Sequence, residues 1–313
     1  MGYLMKTTSI LLVALLVLVM MFGFVGCQPT DEPAGSSSDN GPADPITFTF
    51  MTYNVRVQVS NDADKRVPYD TVKDRAPLIL QHIADADPDV LCIQEWTGNH
   101  TMEVAPSLEE QYEILVFQRG DFFESCAILY KKDRFELIST EHFWLSETPE
   151  EPSKSWDADY PRIYASALLR DKLSNKTFRA GTTHLDLATV ARGKQRKMVV
   201  DHTANSAEPA IVCGDFNFDA RHDLYLYCIN TLNDCRTLVT NATTTASYNG
   251  YNVDGQILDA DGAVKNGYGY PIDQIFVKRD AFTVHSYSVL NYLIDGKFSS
   301  DHFPVVVELS IND

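Results

Sequence analysis

Histidine and cysteine are sparse in this chain of 313 residues, eight and six respectively, and nowhere do they gather as a set of metal ligands. That sets aside a zinc-type centre of thiolates and imidazoles. Positive charge is also short: 26 Lys and Arg face 43 Asp and Glu, a formal net charge of −17. Such a surface repels polyanions at long range, so tight non-specific binding to duplex nucleic acid is disfavoured. Nothing in the chain repeats at a fixed period, which sets aside repeat architectures. What remains is a globular composition, with 44% hydrophobic residues for a core of one large or two small domains.

The N-terminus is a separate matter. Lys6 precedes an apolar stretch from Ile10 to Val25 that ends at Gly26-Cys27, after which the chain turns abruptly polar. Residues 1–26 are expected to be an export signal rather than part of the fold. Phe24-Val25-Gly26-Cys27 resembles a bacterial lipoprotein cleavage box, which implies that Cys27 is lipid-modified and becomes the mature N-terminus. An uncleaved single-span anchor is the alternative, the stretch being at the short end for a bilayer. Residues 27–45, rich in Pro, Gly, Ser and Asp, are expected to form a flexible tether, leaving a catalytic domain at 46–313. The expectation is an extracytoplasmic lipoprotein of the cell envelope, held at a membrane but not in it. Loss of residues 1–26 removes only the +1 of Lys6 and moves the charge from −17 to −18.

Five cysteines then remain, Cys92, Cys126, Cys213, Cys228 and Cys235, and an odd count argues against a complete disulfide framework. The first three sit in apolar, strand-like runs and read as small buried side chains. Cys228 and Cys235 either pair across a short loop or stay free.

Beyond the tether, strands and helices mix. Helical spacing of Val72, Ala76, Ile79, Leu80 and Ile83 predicts a helix over 70–86, ended by Pro88, and a buried strand over 89–94 follows. A short helix is expected over 102–110, and a longer one over 189–206. Strands are expected over 112–117, 125–131, 135–143, 163–170, 177–184, 210–213, 275–278, 282–290 and 304–309. Segments 146–161 and 241–270 read as long loops of the kind that carry binding functions. The mixture predicts an α/β fold of two stacked sheets with helices outside.

Six short polar islands punctuate these strands: Thr52-Tyr53-Asn54, Gln94-Glu95, Thr183-His184-Leu185-Asp186, Gly214-Asp215-Phe216-Asn217, Ile272-Asp273 and Ser300-Asp301-His302. Most close an apolar run or open the next, so one rim of the fold can gather them. Their carboxylates, amides and two imidazoles suit a hard, oxygen-seeking cation with acid and base groups beside it. The chemistry indicated is metal-assisted hydrolysis of a phosphate ester.

In order, these islands resemble the motifs of the endonuclease/exonuclease/phosphatase superfamily, across roughly residues 46–311. The resemblance implies the deoxyribonuclease I-like fold, a four-layer α/β sandwich of two mixed sheets flanked by helices. It implies that Glu95 is the principal Mg²⁺ ligand (Mn²⁺ in its place at need), with Asn54 and Asp301 near the metal. Asp215 orients or activates the attacking water, and Asn217 holds it or stabilises the pentavalent phosphorus. His302 contacts the scissile phosphate, with Asp273 fixing its tautomer. His184 is the second imidazole, and Glu124 either pairs with it or is a solvated charge at a strand entry. Phe143-Trp144-Leu145-Ser146-Glu147-Thr148-Pro149, Lys154-Ser155-Trp156-Asp157 and Pro161-Arg162 are similar to a bacterial subgroup. In it Arg162 would clamp the phosphate, the alternative being an ordinary surface arginine. Tyr248-Asn249-Gly250 occupies a substrate-side position, which makes Asn249 a substrate contact. Gln274 stands where the family commonly has Tyr or His, which bears on substrate choice.

The reading is a Mg²⁺-dependent phosphoesterase, monomeric, acting by in-line attack of water on a phosphodiester or phosphomonoester. A small nucleotide, sugar phosphate or lipid head group fits the acidic surface better than long nucleic acid. Two alternatives stand beside it: a surface binding protein that kept the fold without catalysis, and an extracellular nuclease.

Overall fold

In the computed structural model the chain divides into Met1–Ala43 and a compact unit, Asp44–Asp313. The structure describes residues 45–58, 67–120, 124–242, 245–252, 257–258 and 269–313. The export signal, Cys27 and all but the last residue of the tether lie outside the described residues, as does part of the 241–270 loop. Among the described residues no helix is long and apolar enough to cross a membrane.

Two six-stranded mixed sheets form the body. The first contains β1 (Thr47–Asn54), β2 (Val90–Trp96), β3 (Tyr112–Gln118), β4 (Ser125–Lys131), β11 (Phe282–Val289) and β12 (Val305–Ile311), in the order β11-β12-β1-β2-β4-β3. The second contains β5 (Phe135–Trp144), β6 (Ile163–Asp171), β7 (Thr177–His184), β8 (Ala210–Asp215), β9 (Asn233–Asp234) and β10 (Asp273–Val277), in the order β5-β6-β7-β8-β10-β9. Their inner faces meet in one core that includes Phe48, Phe50, Val90, Cys92 and Ile128 from the first sheet and Ala165, Leu169, Ile211, Cys213 and Ile275 from the second. Strand β2 is buried along its whole length because its other face is covered as well.

That outer cover is α1 (Val72–Ala86) with α2 (Gly98–Glu103), packed on Met51, Tyr53, Leu91 and Ile93. Thr71 caps α1 by accepting the Asp74 amide at 3.1 Å. The second sheet is covered by α3 (Thr189–Ala204) and α4 (Asp223–Thr231), through Val199, Val200, Tyr225 and Cys228. The expected four-layer sandwich is therefore the observed fold.

One local expectation needs correction, one helix was not expected, and one open alternative is decided. The helix expected over 102–110 begins earlier, as α2, because His100 reaches back to the Thr97 amide at 3.1 Å, and a separate tight turn follows at Ala105–Ser107. Helix α4 has no counterpart in the sequence reading. Cys228 and Cys235 are free thiols, as are the other three described cysteines. They point into different clusters, Cys228 among the side chains under α3 and α4 and Cys235 in the core between the sheets.

Candidate active site

The parallel pairs β1/β2 and β7/β8 end on the same rim, and local backbone geometry aims their last side chains into it. Between Ile93 and Trp96 the register of β2 against β4 shifts, and Glu95 adopts a positive φ of 61°. This bulge turns the carboxylate out of the strand alternation and toward the cleft. Gly214, at φ 134°, does the same for Asp215: a Cβ there would lie 1.9 Å from the Thr183 carbonyl, so only glycine lets β7 and β8 approach so closely.

A cleft of about 580 Å³ opens on this rim, and Glu95, Glu124, Arg162, His184, Asp215, Asn217, Asp301 and His302 all line it. Asp215 is central. Its Oδ1 accepts the Asn217 amide at 2.9 Å and its Oδ2 accepts Asn54 Nδ2 at 3.1 Å. The same Oδ2 lies 3.5 Å from His184 Nε2 and 3.7 Å from His302 Nε2. Each imidazole is backed by its own carboxylate, His184 Nδ1 by Glu124 at 3.0 Å and His302 Nδ1 by Asp273 at 2.7 Å. Asp273 and Asn54 are buried just behind the lining.

Electrostatics separate these groups. Burial favours the neutral form of Asp215 and Asp273 adds to that, so its pKa is raised although His302 and His184 oppose the shift. For His302, burial favours the neutral ring but is outweighed by Asp273, Asp215 and Asp301, which hold its pKa well above the ordinary value. Glu95 is buried too, yet His184, Arg56, the Val57 amide and Asn54 overcome desolvation and bring its pKa to about 2. The Glu124 carboxyl is likewise held down, against burial, by His184 and Arg162.

The donor set fits a hard divalent cation. Carboxylates of Glu95, Asp215 and Asp301 line the cleft with Asp273 buried behind them, and ligand atoms of Asp215, Asp273 and His302 all lie within 4.8 Å of one another. Buried Asp273 Oδ1 has no hydrogen-bond partner among the described residues. Such crowding of buried negative charge is costly unless cations answer it.

Two expected residues sit differently. Asn249 does not line the cleft: its Nδ2 donates to the Ser300 carbonyl at 3.2 Å and its Oδ1 accepts the Tyr251 amide at 2.8 Å, so it shapes the segment before His302. Its neighbour Tyr248 takes the wall, edge-on to His302 at 5.1 Å between ring centres. Asn217 lines the cleft, but its Nδ2 is tied to the Leu185 carbonyl at 2.8 Å, so its backbone serves Asp215 more directly than its amide serves a ligand. The sequence reading missed Arg56, Arg119, Tyr160 and Leu187, which also line the site. Of these only Arg56, two residues after Asn54, carried a signal.

The family model described as "Endonuclease/Exonuclease/phosphatase family" matches residues 51–302. An endonuclease/exonuclease/phosphatase family protein of Bacteroides thetaiotaomicron is 28% identical, with a TM-score of 0.72 over 86% of this chain and 96% of that one. A mannosyl-6-phosphatase from the same organism is 29% identical, with a TM-score of 0.67 over 84% of this chain and 99% of that one. Mouse protein angel homolog 2 is 29% identical over 59% of this chain and only 37% of its own length. The chain thus spans little more than a third of that curated relative.

Proposed function

The chain belongs to the endonuclease/exonuclease/phosphatase family, whose members act on phosphate esters, and on that premise we propose that it hydrolyses a small phosphate ester with the help of a divalent cation. One observation carries this reading: two imidazoles, each oriented by its own carboxylate, converge on a single oxygen of Asp215. A pure binding protein has no use for that arrangement.

Glu95, with Asn54 and Asp301 beside it, would hold Mg²⁺ or Mn²⁺. Bound there, the cation supplies neutralisation of charge on the phosphate. The protein's own groups divide the rest of the work. Asp215, its basicity raised by burial and its carboxylate pinned by Asn54 and the Asn217 amide, accepts a proton from water aligned for attack on phosphorus. His302 stays protonated beside Asp273 and stabilises negative charge that grows on the phosphoryl oxygens. His184, its Nδ1 facing Glu124, presents Nε2 to the cleft and can protonate the leaving oxygen. The acidic chain and the bounded cleft favour a nucleotide, sugar phosphate or lipid head group over long nucleic acid.

The test is phosphate release by the purified protein across monoesters and diesters, with Mg²⁺ and with chelator. Turnover is expected to require the cation, and Glu95→Gln to weaken that requirement most. Full turnover in excess chelator would sink the cation-dependent mechanism.

A further inference from the structure

One wall of the cleft has chemistry that neither the imidazoles nor the cation site uses. Arg119 follows β3 directly, and its Nη2 lies 2.9 Å from Glu124 Oε2. Arg162 approaches the other oxygen, Nη1 to Oε1 at 3.2 Å. Both guanidiniums are nearly buried, and Tyr160 covers them, its ring centre 5.1 Å from Arg119 Cζ and 5.6 Å from Arg162 Cζ. Holding Glu124 against His184 would take one arginine. The wall has two, and both line the cleft.

The wall is also fixed in place. The Leu145 amide donates to the Arg162 carbonyl at 2.8 Å, closing a loop whose interior is tied by Ser146 to Ser153 at 2.6 Å and by the Glu147 amide to Ser155 Oγ at 2.9 Å. Buried Asp186 accepts the Tyr160 amide at 3.2 Å and faces Arg162 Nε at 3.7 Å. Trp144 Nε1 donates to the Arg119 carbonyl at 3.0 Å, joining the arginine to the same loop. The serine-rich and tryptophan-containing strings at 143–162 therefore build a rigid backing for two arginines.

Resting on the phosphoesterase reading, we propose that Arg119 and Arg162 form a seat for an unesterified phosphate oxygen and that the enzyme is thereby selective for phosphomonoesters. A monoester presents three non-bridging oxygens and nearly two negative charges at neutral pH, the second ionisation lying near pH 6. A diester carries one charge, and a carbon on one of those oxygens would meet the guanidiniums or the Tyr160 ring. In the reaction the water oxygen bonds to phosphorus, and the ester P–O bond breaks with its electron pair going to the alcohol oxygen. One water proton passes to Asp215, and the alcohol takes a proton from an imidazole. The seat takes no proton; it only holds the oxygen that does not leave. Arg119 is thus a specificity-determining residue.

The experiment compares kcat/KM for 4-nitrophenyl phosphate and methyl 4-nitrophenyl phosphate, which share a leaving group and differ by one methyl on a phosphate oxygen. The parent is expected to favour the monoester. Arg119→Gln is expected to lower the monoester rate by roughly thirtyfold or more, the loss of a charged hydrogen bond, and the diester rate far less. Arg119→Lys should recover part of the difference. Equal losses on both substrates, or a parent that prefers the diester, would overturn the proposal. A parent inactive on every phosphate ester would instead overturn the phosphoesterase reading. Inorganic phosphate binding, measured calorimetrically, then reads the seat alone: about tenfold weaker binding in Arg119→Gln supports it, and unchanged binding overturns it.

Discussion

Asp215 Oδ2 has three side chains converging on it, so removing any one should be felt by the rest. Asp215→Asn and His302→Ala are expected to lower turnover by roughly a hundredfold or more while leaving the fold intact, the scale of groups that move protons or face transition-state charge. Asp273→Asn should cause part of the His302→Ala loss and also displace the pH profile. The protonated form of His302 is present below its folded pKa and is lost as pH rises through it. Asp273 is the largest influence raising that pKa, so its neutralisation should move the alkaline limb of kcat/KM to lower pH. Initial rates against pH, with circular dichroism as a folding check, decide it; an unmoved limb would remove Asp273 from this role. Exposed His285, outside every motif, is the control. At this scale the sequence was readable where chemistry and strand ends coincide, as at Glu95, His184, Asp215 and His302. It was not readable at Arg119, Tyr160 or Leu187. Their importance comes from a wall assembled by both sheets, and an arginine after a strand has no local mark of that.

Among the elements, strands β4 and β7 were legible to the residue because their apolar runs end in charged or polar punctuation. Helix α4 was not, since nine residues with a mixed face carry too little period to register. Helix α1 was legible, but the role of His82 on it was not. That ring is buried under the helix, its Nδ1 2.9 Å from Ser299 Oγ, which in turn lies 2.6 Å from Tyr53 OH. Burial lowers its pKa to about 4, the Tyr292 backbone and Asp85 opposing only in part. A depressed histidine favours the native state fully above the unfolded value of 6.5, and that contribution is lost as pH falls through about 4. About 3 kcal/mol of stability is at stake, the scale set by the linkage between pKa and free energy. Thermal midpoints should fall across that window in the parent, with a flatter slope in His82→Gln. Identical slopes would show that α1 is anchored by something else.

Across the whole molecule, the lipid anchor proposed at Cys27 is testable without reference to activity. Cys27→Ser is expected to shift the protein from the membrane fraction to the soluble one. A variant held as tightly as the parent would mean an uncleaved apolar anchor. The direction of β1 adds a consequence. Its first residue, Thr47, follows the tether, and its last, Asn54, stands behind the active site. Seven strand steps of ~3.3 Å separate the two by roughly 23 Å. If Cys27 is lipidated, the moored end of the domain is the end without chemistry. Anything joined ahead of Thr47, a lipid or a carrier, therefore enters the domain a strand's length away from the carboxylates it must not crowd.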